Sequence, residues 1–266
     1  MQALVTPAEE AYEGLAPYYD ELTREHDYDG WTRHLEEMAA CFGVEGRRLL
    51  DAACGTGKSF LPFLDRGYAV TACDISAEMV ARARAKAPGA EVSVADMRRL
   101  GRLGSFDLIT CLDDSVNYLV EDGDLDEAFA SLAANLARGG VLVFDVNTLS
   151  TYRTTFASDM TQDGPGLFLA WRGGCGGAEE AGCLAELVVE AFCDTGSGLY
   201  ERVTTRHLQR HHPRPAVEAA LAGAGLAAVG VFGQLPNGSL DSFASEERHH
   251  KLVYFAQQVA RGGETT

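Results

Sequence analysis

The run Leu49-Leu50-Asp51-Ala52-Ala53-Cys54-Gly55-Thr56-Gly57 constrains this chain more than any other. Its apolar residues read as a buried strand, an acid closes the strand, and two glycines one residue apart turn the backbone into a helix. Glycine serves there because the main chain must bend sharply and let a ligand approach closely. An acid at the strand's end favours a ligand carrying hydroxyl or ammonium groups over a bare phosphate.

Three nucleotide-site readings compete. Cys54-Gly55-Thr56-Gly57-Lys58-Ser59 comes close to the phosphate-cradling G-x-x-x-x-G-K-[ST] loop. Its opening glycine would fall on Ala52, however, and Asp51 would repel the phosphates. The dinucleotide pattern G-x-G-x-x-G fits Gly55 and Gly57 but would place its third glycine on Phe60. The third reading gains from a repeat of strand-then-acid downstream. Ala69–Cys73 ends in Asp74, and Glu91–Ala95 ends in Asp96. Asp74 follows the glycine turn at the spacing, about 20 residues, where an acid meets ribose hydroxyls. A carboxylate accepts from both hydroxyls of a free ribose and repels a phosphorylated one. Three carboxylates at successive strand ends suit a cationic, phosphate-free nucleoside such as a sulfonium nucleoside.

With these residues the chain resembles the class I S-adenosylmethionine (SAM)-dependent methyltransferases. The matching segments are Asp51–Gly57, Cys73–Met79, Ala95–Arg98, Phe106–Cys111 with Asn117–Leu119, and Leu136–Asp145 with its Gly139-Gly140 corner. The likeness runs from about Tyr18 to Phe255. It is strongest to small bacterial stand-alone methyltransferases and to amino-sugar N-methyltransferases of antibiotic pathways. It implies a Rossmann-like α/β fold: a mostly parallel seven-stranded sheet with helices on both faces.

At 266 residues the chain is long enough for one domain with an insertion, and 46% hydrophobic residues suffice for a full core. The formal net charge of -17 argues against a phosphate-backbone partner, so no nucleic acid is expected. No membrane is expected either, since no apolar run approaches the ~18 residues of a spanning helix. The first ten residues lack a signal peptide's basic and apolar regions, which points to the cytoplasm. Seven cysteines with no C-x-x-C pair read as reduced thiols, and the histidine pairs lack acids or cysteines at ligand spacing, so no metal is expected.

Four segments are expected. Residues 1–150 hold N-terminal helices (from about Pro7 to Phe42) and the SAM-binding core. Residues 151–212 form an antiparallel lid or substrate insertion. Residues 213–260 complete the core, and 261–266 form a disordered tail. Helices are predicted over 77–87, 125–137 and 215–221. Strands are predicted over 167–171, 184–192, 199–208, 226–232 and 251–256. The insertion offers a surface for homo-oligomer contact.

The resemblance implies a set of site residues. Asp51 faces the methionine end of SAM, Gly55 and Gly57 lie against the nucleoside, and Asp74 holds the ribose. Ile75 and Met79 stack near the adenine, and Asp96 and Met97 meet its edge. Ala53, Leu112, Tyr18 and Trp31 complete the cofactor set. The alternative for Asp74 and Asp96 is helix capping, and Ser76 is read as an N-cap. In an open parallel sheet ligands bind beyond the carboxyl ends of the strands. That places the acceptor near Asp113, Asn117, Tyr118 and Asn147. Tyr19, Asp114 and His207 are the catalytic candidates, the last two as bases if the acceptor must lose a proton.

The expected function is methyl transfer from SAM to nitrogen or oxygen of a small molecule in natural-product metabolism, leaving S-adenosylhomocysteine. The rivals are a SAM-binding scaffold or sensor without activity, and a nucleoside triphosphatase built on the near-P-loop.

Overall fold

A computed structural model describes residues 8–177 and 179–259. Helices α1 (Ala8–Leu15), α2 (Tyr19–Leu22) and α3 (Tyr28–Cys41) precede the core. Strand and helix then alternate: β1 (Arg48–Ala52), α4 (Leu61–Asp65), β2 (Ala69–Asp74), α5 (Ala77–Lys86), β3 (Glu91–Val94), β4 (Phe106–Cys111), α6 (Asp124–Ala133) and β5 (Leu136–Asn147). After α7 (Leu149–Thr154) the rhythm changes to four strands: β6 (Met160–Gly164), β7 (Leu167–Gly173), β8 (Leu184–Asp194) and β9 (Tyr200–Arg210). The chain closes with α8 (Arg214–Gly223), β10 (Leu226–Gln234), β11 (Leu240–Asp241) and β12 (Lys251–Gln258).

The main sheet runs β11-β10-β12-β5-β4-β1-β2-β3. Strands β3, β2, β1, β4 and β5 are parallel, and β12 inserts antiparallel between β5 and β10. The sequence predicts seven strands; the sheet has eight because β11, two residues long, caps its edge. Side chains alternate across a strand, so neighbouring apolar residues serve opposite faces. Leu50, Ile109, Phe144 and Tyr254 pack under α6 and α8. Leu49, Leu108, Val143 and Phe255 pack under α3, α4 and α5. That two-sided burial explains why these strands read as unbroken apolar runs.

The helix predicted over 125–137 stops at Ala133, and Leu136 already begins β5. The Gly139-Gly140 pair therefore lies inside a strand. A Cβ on Gly140 would stand 2.8 Å from the Phe106 carbonyl oxygen, and the β4–β5 register shifts there. The glycine permits a bulge that a side chain would block. The expected antiparallel insertion is a separate sheet, β6-β7-β8-β9, with β6 as a strand the sequence did not signal. It encloses a third core with Leu15, Tyr152 and Phe156. Helix α1 lies against β9, where a Cβ on Gly14 would come 3.1 Å from Thr205 Cγ2. The tail 261–266 and Pro7 lie outside the described residues.

Candidate active site

A cavity of about 480 Å³ opens beyond the carboxyl ends of β1 to β4, roofed by α1, α2 and β9. Of the expected residues, Tyr19, Ala53, Gly55, Asp74, Ile75, Met79, Asp96, Met97, Leu112, Asp113 and Tyr118 line it.

The glycine turn is shaped by its neighbours. The Cys54 N–H donates to the Cys73 carbonyl at 2.9 Å, tying the turn to β2. Gly55 has φ +52°, and a Cβ added there would meet only Tyr19, at 3.8 Å. The missing side chain leaves room against the backbone. Asp74 closes β2. Its Oδ2 accepts the Gly55 N–H at 2.8 Å and its Oδ1 the Ser76 N–H at 2.9 Å. Burial raises its pKa, against the pull of these backbone donors. Ser76 is the N-cap of α5, its hydroxyl accepting from the Met79 N–H at 3.1 Å. Glu13 of α1 accepts the next two N–H groups, from Ala77 and Glu78.

Asp96 lines the cavity already partnered. It caps its own turn by accepting the Arg98 N–H at 2.9 Å, and the Arg98 guanidinium contacts both of its oxygens. Burial alone would raise its carboxyl; Arg98 outweighs this and holds it below its ordinary value. Arg98 also bonds Asp124 at 2.8 Å.

Asp51 does not line the cavity. It is buried beneath the floor, accepting Ser59 Oγ at 2.5 Å and Thr110 Oγ1 at 2.6 Å, and it is Ser59 that reaches the cavity. Burial pushes the Asp51 carboxyl up to about 6 despite the two hydroxyls. Gly57, with φ +92°, is held back against Phe60. Tyr18 packs with the insertion core. Trp31 is buried one ring behind Tyr28, centroids 6.1 Å apart.

The turn after β4 carries the densest chemistry. Asp113 and Asp114 both adopt left-handed backbone, φ +61° and +52°, which is costly for residues with a Cβ. Asp145, at the end of β5, holds that turn: its Oδ1 accepts the Asp113 N–H at 2.6 Å and its Oδ2 the Asp114 N–H at 2.8 Å. Lys251, the first residue of β12, lies 2.9 Å from Asp113, 2.8 Å from Asp114 and 3.1 Å from Asp145. Burial opposes its charge, but the three carboxylates raise its pKa well above the ordinary lysine range. Burial opposes the charge of Asp113 too, but Lys251 overcomes that cost and holds the Asp113 carboxyl down at about 2. Asp113 also accepts from Tyr28 at 3.1 Å and Tyr19 at 3.3 Å.

Four expected acceptor-side and catalytic residues, Asp114, Asn117, Asn147 and His207, lie off the cavity lining. Gln209 of β9 donates to Asp114, and its carbonyl accepts from Asn147 at 3.0 Å. Asn117 accepts the Asn147 N–H and donates to the Arg210 carbonyl, both at 2.9 Å. His207 stands behind Tyr118, with Nδ1 2.9 Å from the phenol and Nε2 3.0 Å from Thr205 Oγ1. Burial lowers its pKa to about 4, so it is neutral at pH 7 and a weak base. Tyr12 bonds the other side of Tyr118 at 3.0 Å.

Sequence reasoning missed Lys251, Tyr12, Tyr28 and Gln209 as site residues. Lys251 left one signal: a lone charge opening the apolar run Leu252–Ala256. The tyrosines left none, because their convergence depends on how α1 and α3 pack. Each of the seven cysteines is free. No group of three or more His, Cys, Asp or Glu positioned to hold a metal occurs among the described residues.

The fold and cavity define a nucleoside-binding α/β protein. The donor set fits a phosphate-free nucleoside: the Asp74 carboxylate, the open cradle at Gly55, apolar walls from Ile75, Met79 and Met97, and an arginine already neutralised by Asp96 and Asp124. Comparison with known proteins agrees. Residues 49–140 match the family model described as "Methyltransferase domain". The chain is 31% identical over 219 residues to the putative methyltransferase YqeM of Bacillus subtilis (strain 168), covering 80% of this chain and 85% of that protein. The crystal structure of a SAM-dependent methyltransferase from Clostridium acetobutylicum ATCC 824 superimposes with a TM-score of 0.77 at 25% identity, over 95% of this chain and 99% of that one. A dTDP-3-amino-3,6-dideoxy-alpha-D-glucopyranose N,N-dimethyltransferase of Streptomyces fradiae is 31% identical over 45% of this chain. The match spans only 47% of that enzyme, and 59% of a putative Geobacillus methyltransferase. The chain belongs to the SAM-dependent methyltransferase family. No helix among the described residues is long and apolar enough to cross a membrane.

Proposed function

We propose that this chain methylates nitrogen or oxygen of a small molecule, in natural-product metabolism. The observation that carries the reading is one cavity with two chemically distinct ends. One end has Asp74, Ile75, Met79 and Met97; the other has Tyr12, Tyr19, Tyr28, Asp113 and Tyr118. SAM, when bound, supplies an activated methyl group on a good leaving group. The chain's residues therefore have to bind, align and exclude water rather than activate the donor. Asp74 accepts from the ribose hydroxyls, and Met79 and Met97 pack on the base. The tyrosine end receives the acceptor. The likeness to an amino-sugar N-dimethyltransferase supports the small-molecule class and the metabolic setting.

Calorimetric titration with S-adenosylhomocysteine tests the nucleoside site. Saturable binding with one site per chain is expected, and its absence overturns the proposal. Release of S-adenosylhomocysteine from SAM in the presence of a mixed pool of metabolites separates an enzyme from an inert scaffold.

A further inference from the structure

We propose that the acceptor is a phosphate-free amine, bound as a cation at Asp113 within the ring of Tyr12, Tyr19, Tyr28 and Tyr118. This deepens the methyltransferase reading and rests on it. Three observations carry it.

The first is charge. Three carboxylates, Asp113, Asp114 and Asp145, share one lysine, so the cluster keeps an excess of negative charge. Asp145 is fully buried and spends its oxygens on the turn, whereas Asp113, which accepts from Lys251, Tyr28 and Tyr19, still leaves its side chain 28% exposed and lines the cavity. A half-buried excess charge calls for a cation. An acceptor attacking as an oxyanion would meet repulsion there. An amine would not: its nitrogen gives a lone pair to the methyl carbon, the carbon–sulfur bond breaks toward sulfur, and the positive charge passes from sulfur to nitrogen. The proton that the ammonium must shed beforehand goes to water. Asp113 stands where the new ammonium develops and stabilises it.

The second is the aromatic surround. The Tyr12 ring meets Tyr19 at 70° and Tyr118 at 64°, with centroids 6.1 and 5.3 Å apart. These rings line one cavity at differing angles, and a ring face within about 6 Å attracts an ammonium group. Lys58 Nζ, 5.2 Å from the Tyr28 centroid, shows one of these rings already taking a cation.

The third is what the wall lacks. Among the described lining residues Arg98 is the one cation, and Asp96 and Asp124 engage it. A phosphate would find acids at Glu9, Asp113 and Glu121 instead. The acceptor chemistry therefore differs from that of the dTDP-linked sugar named for the Streptomyces fradiae relative.

The test uses the full chain saturated with S-adenosylhomocysteine and three related probes, read by ligand-observed NMR titration. They are N,N-dimethylethanolamine, its uncharged carbon isostere isopentanol, and the phosphate ester of N,N-dimethylethanolamine. The amine is expected to bind about tenfold tighter than the isostere and tighter than the ester. Asp113→Asn is expected to abolish that preference. Equal or tighter binding of the isostere or the ester overturns the inference, as does no binding of the amine. A variant that keeps the preference but loses S-adenosylhomocysteine would assign Asp113 to the donor's end, and also overturns it. Failure of the wild-type chain to take up S-adenosylhomocysteine at all strikes instead at the methyltransferase reading.

Discussion

The Asp145 carboxylate accepts the backbone N–H of Asp113 at 2.6 Å, and this one bond joins the end of β5 to the strained turn after β4. It fixes where Asp113 points. The same carboxylate receives the Asp114 N–H and lies 3.1 Å from Lys251, so backbone strain, buried charge and one wall of the cavity form a single unit.

Lys251→Met should break that unit. It leaves three carboxylates without their cation, a change that costs about 3–5 kcal/mol at neutral pH. Burial already raises the Asp145 pKa, and removing the lysine raises it further. A carboxyl whose folded pKa is raised favours the fold below its unfolded value and disfavours it as pH climbs. The deficit of the variant, measured by urea denaturation, should therefore shrink as pH falls toward 4.

Asp74→Ala should weaken S-adenosylhomocysteine binding at least tenfold, since a hydrogen bond to a charged group contributes about 1.5–3 kcal/mol. It also frees the Gly55 and Ser76 N–H groups. Calorimetry gives the affinity and thermal unfolding the structural share; unchanged affinity would remove Asp74 from the ribose role.

Asp51→Asn should alter the pH dependence of stability. The wild-type carboxyl titrates at about 6 in the fold against an ordinary 3.8, so its protonated form favours folding. That contribution is complete below pH ~4 and is lost as pH rises through about 6, up to roughly 3 kcal/mol at full shift. The asparagine stays neutral throughout. Relative to wild type the variant should gain stability between those pH values, and a parallel pair of profiles would contradict the assignment.

His207→Gln tests the buried imidazole. Its folded pKa of about 4 lies below the ordinary 6.5. Its contribution is present above pH ~6.5 and lost as pH falls through about 4. The variant should flatten that loss. The wild-type rate profile should show no inflection from His207 between pH 6 and 8.

Gly57→Ala should destabilise the chain by about 1–3 kcal/mol, because φ is +92° and the added Cβ would stand 2.9 Å from Phe60 Cζ. Gly55→Ala carries the strain of a φ of +52°, about 1 kcal/mol, but meets only Tyr19, at 3.8 Å, so it should destabilise less and act more on cofactor affinity. Paired denaturation and binding measurements separate the two.

Much of the site was legible because its signals are local. Asp74, Asp96, Gly55 and Met79 sit within one strand–turn–helix unit each, where spacing alone brings them to the carboxyl ends of the strands. Asp51 reads the same way but is claimed by Ser59 and Thr110, a competition invisible in a linear pattern. Asn117 and Asn147 are expected near the acceptor because they follow β4 and β5, and His207 as a candidate base; packing of β9 turns all three into support behind the cavity wall.

Periodicity and turn chemistry in the sequence determined the parallel core, the two apolar faces and the row of acids along its rim, because each depends on residues a few positions apart. Only the tertiary structure decided which acid meets the cavity, which is sealed beneath it, and that Lys251 joins Asp113 across 138 positions of chain. A charge pair at that separation leaves no local trace; it exists only because β12 folds back antiparallel beside β5, next to the strand that carries the turn.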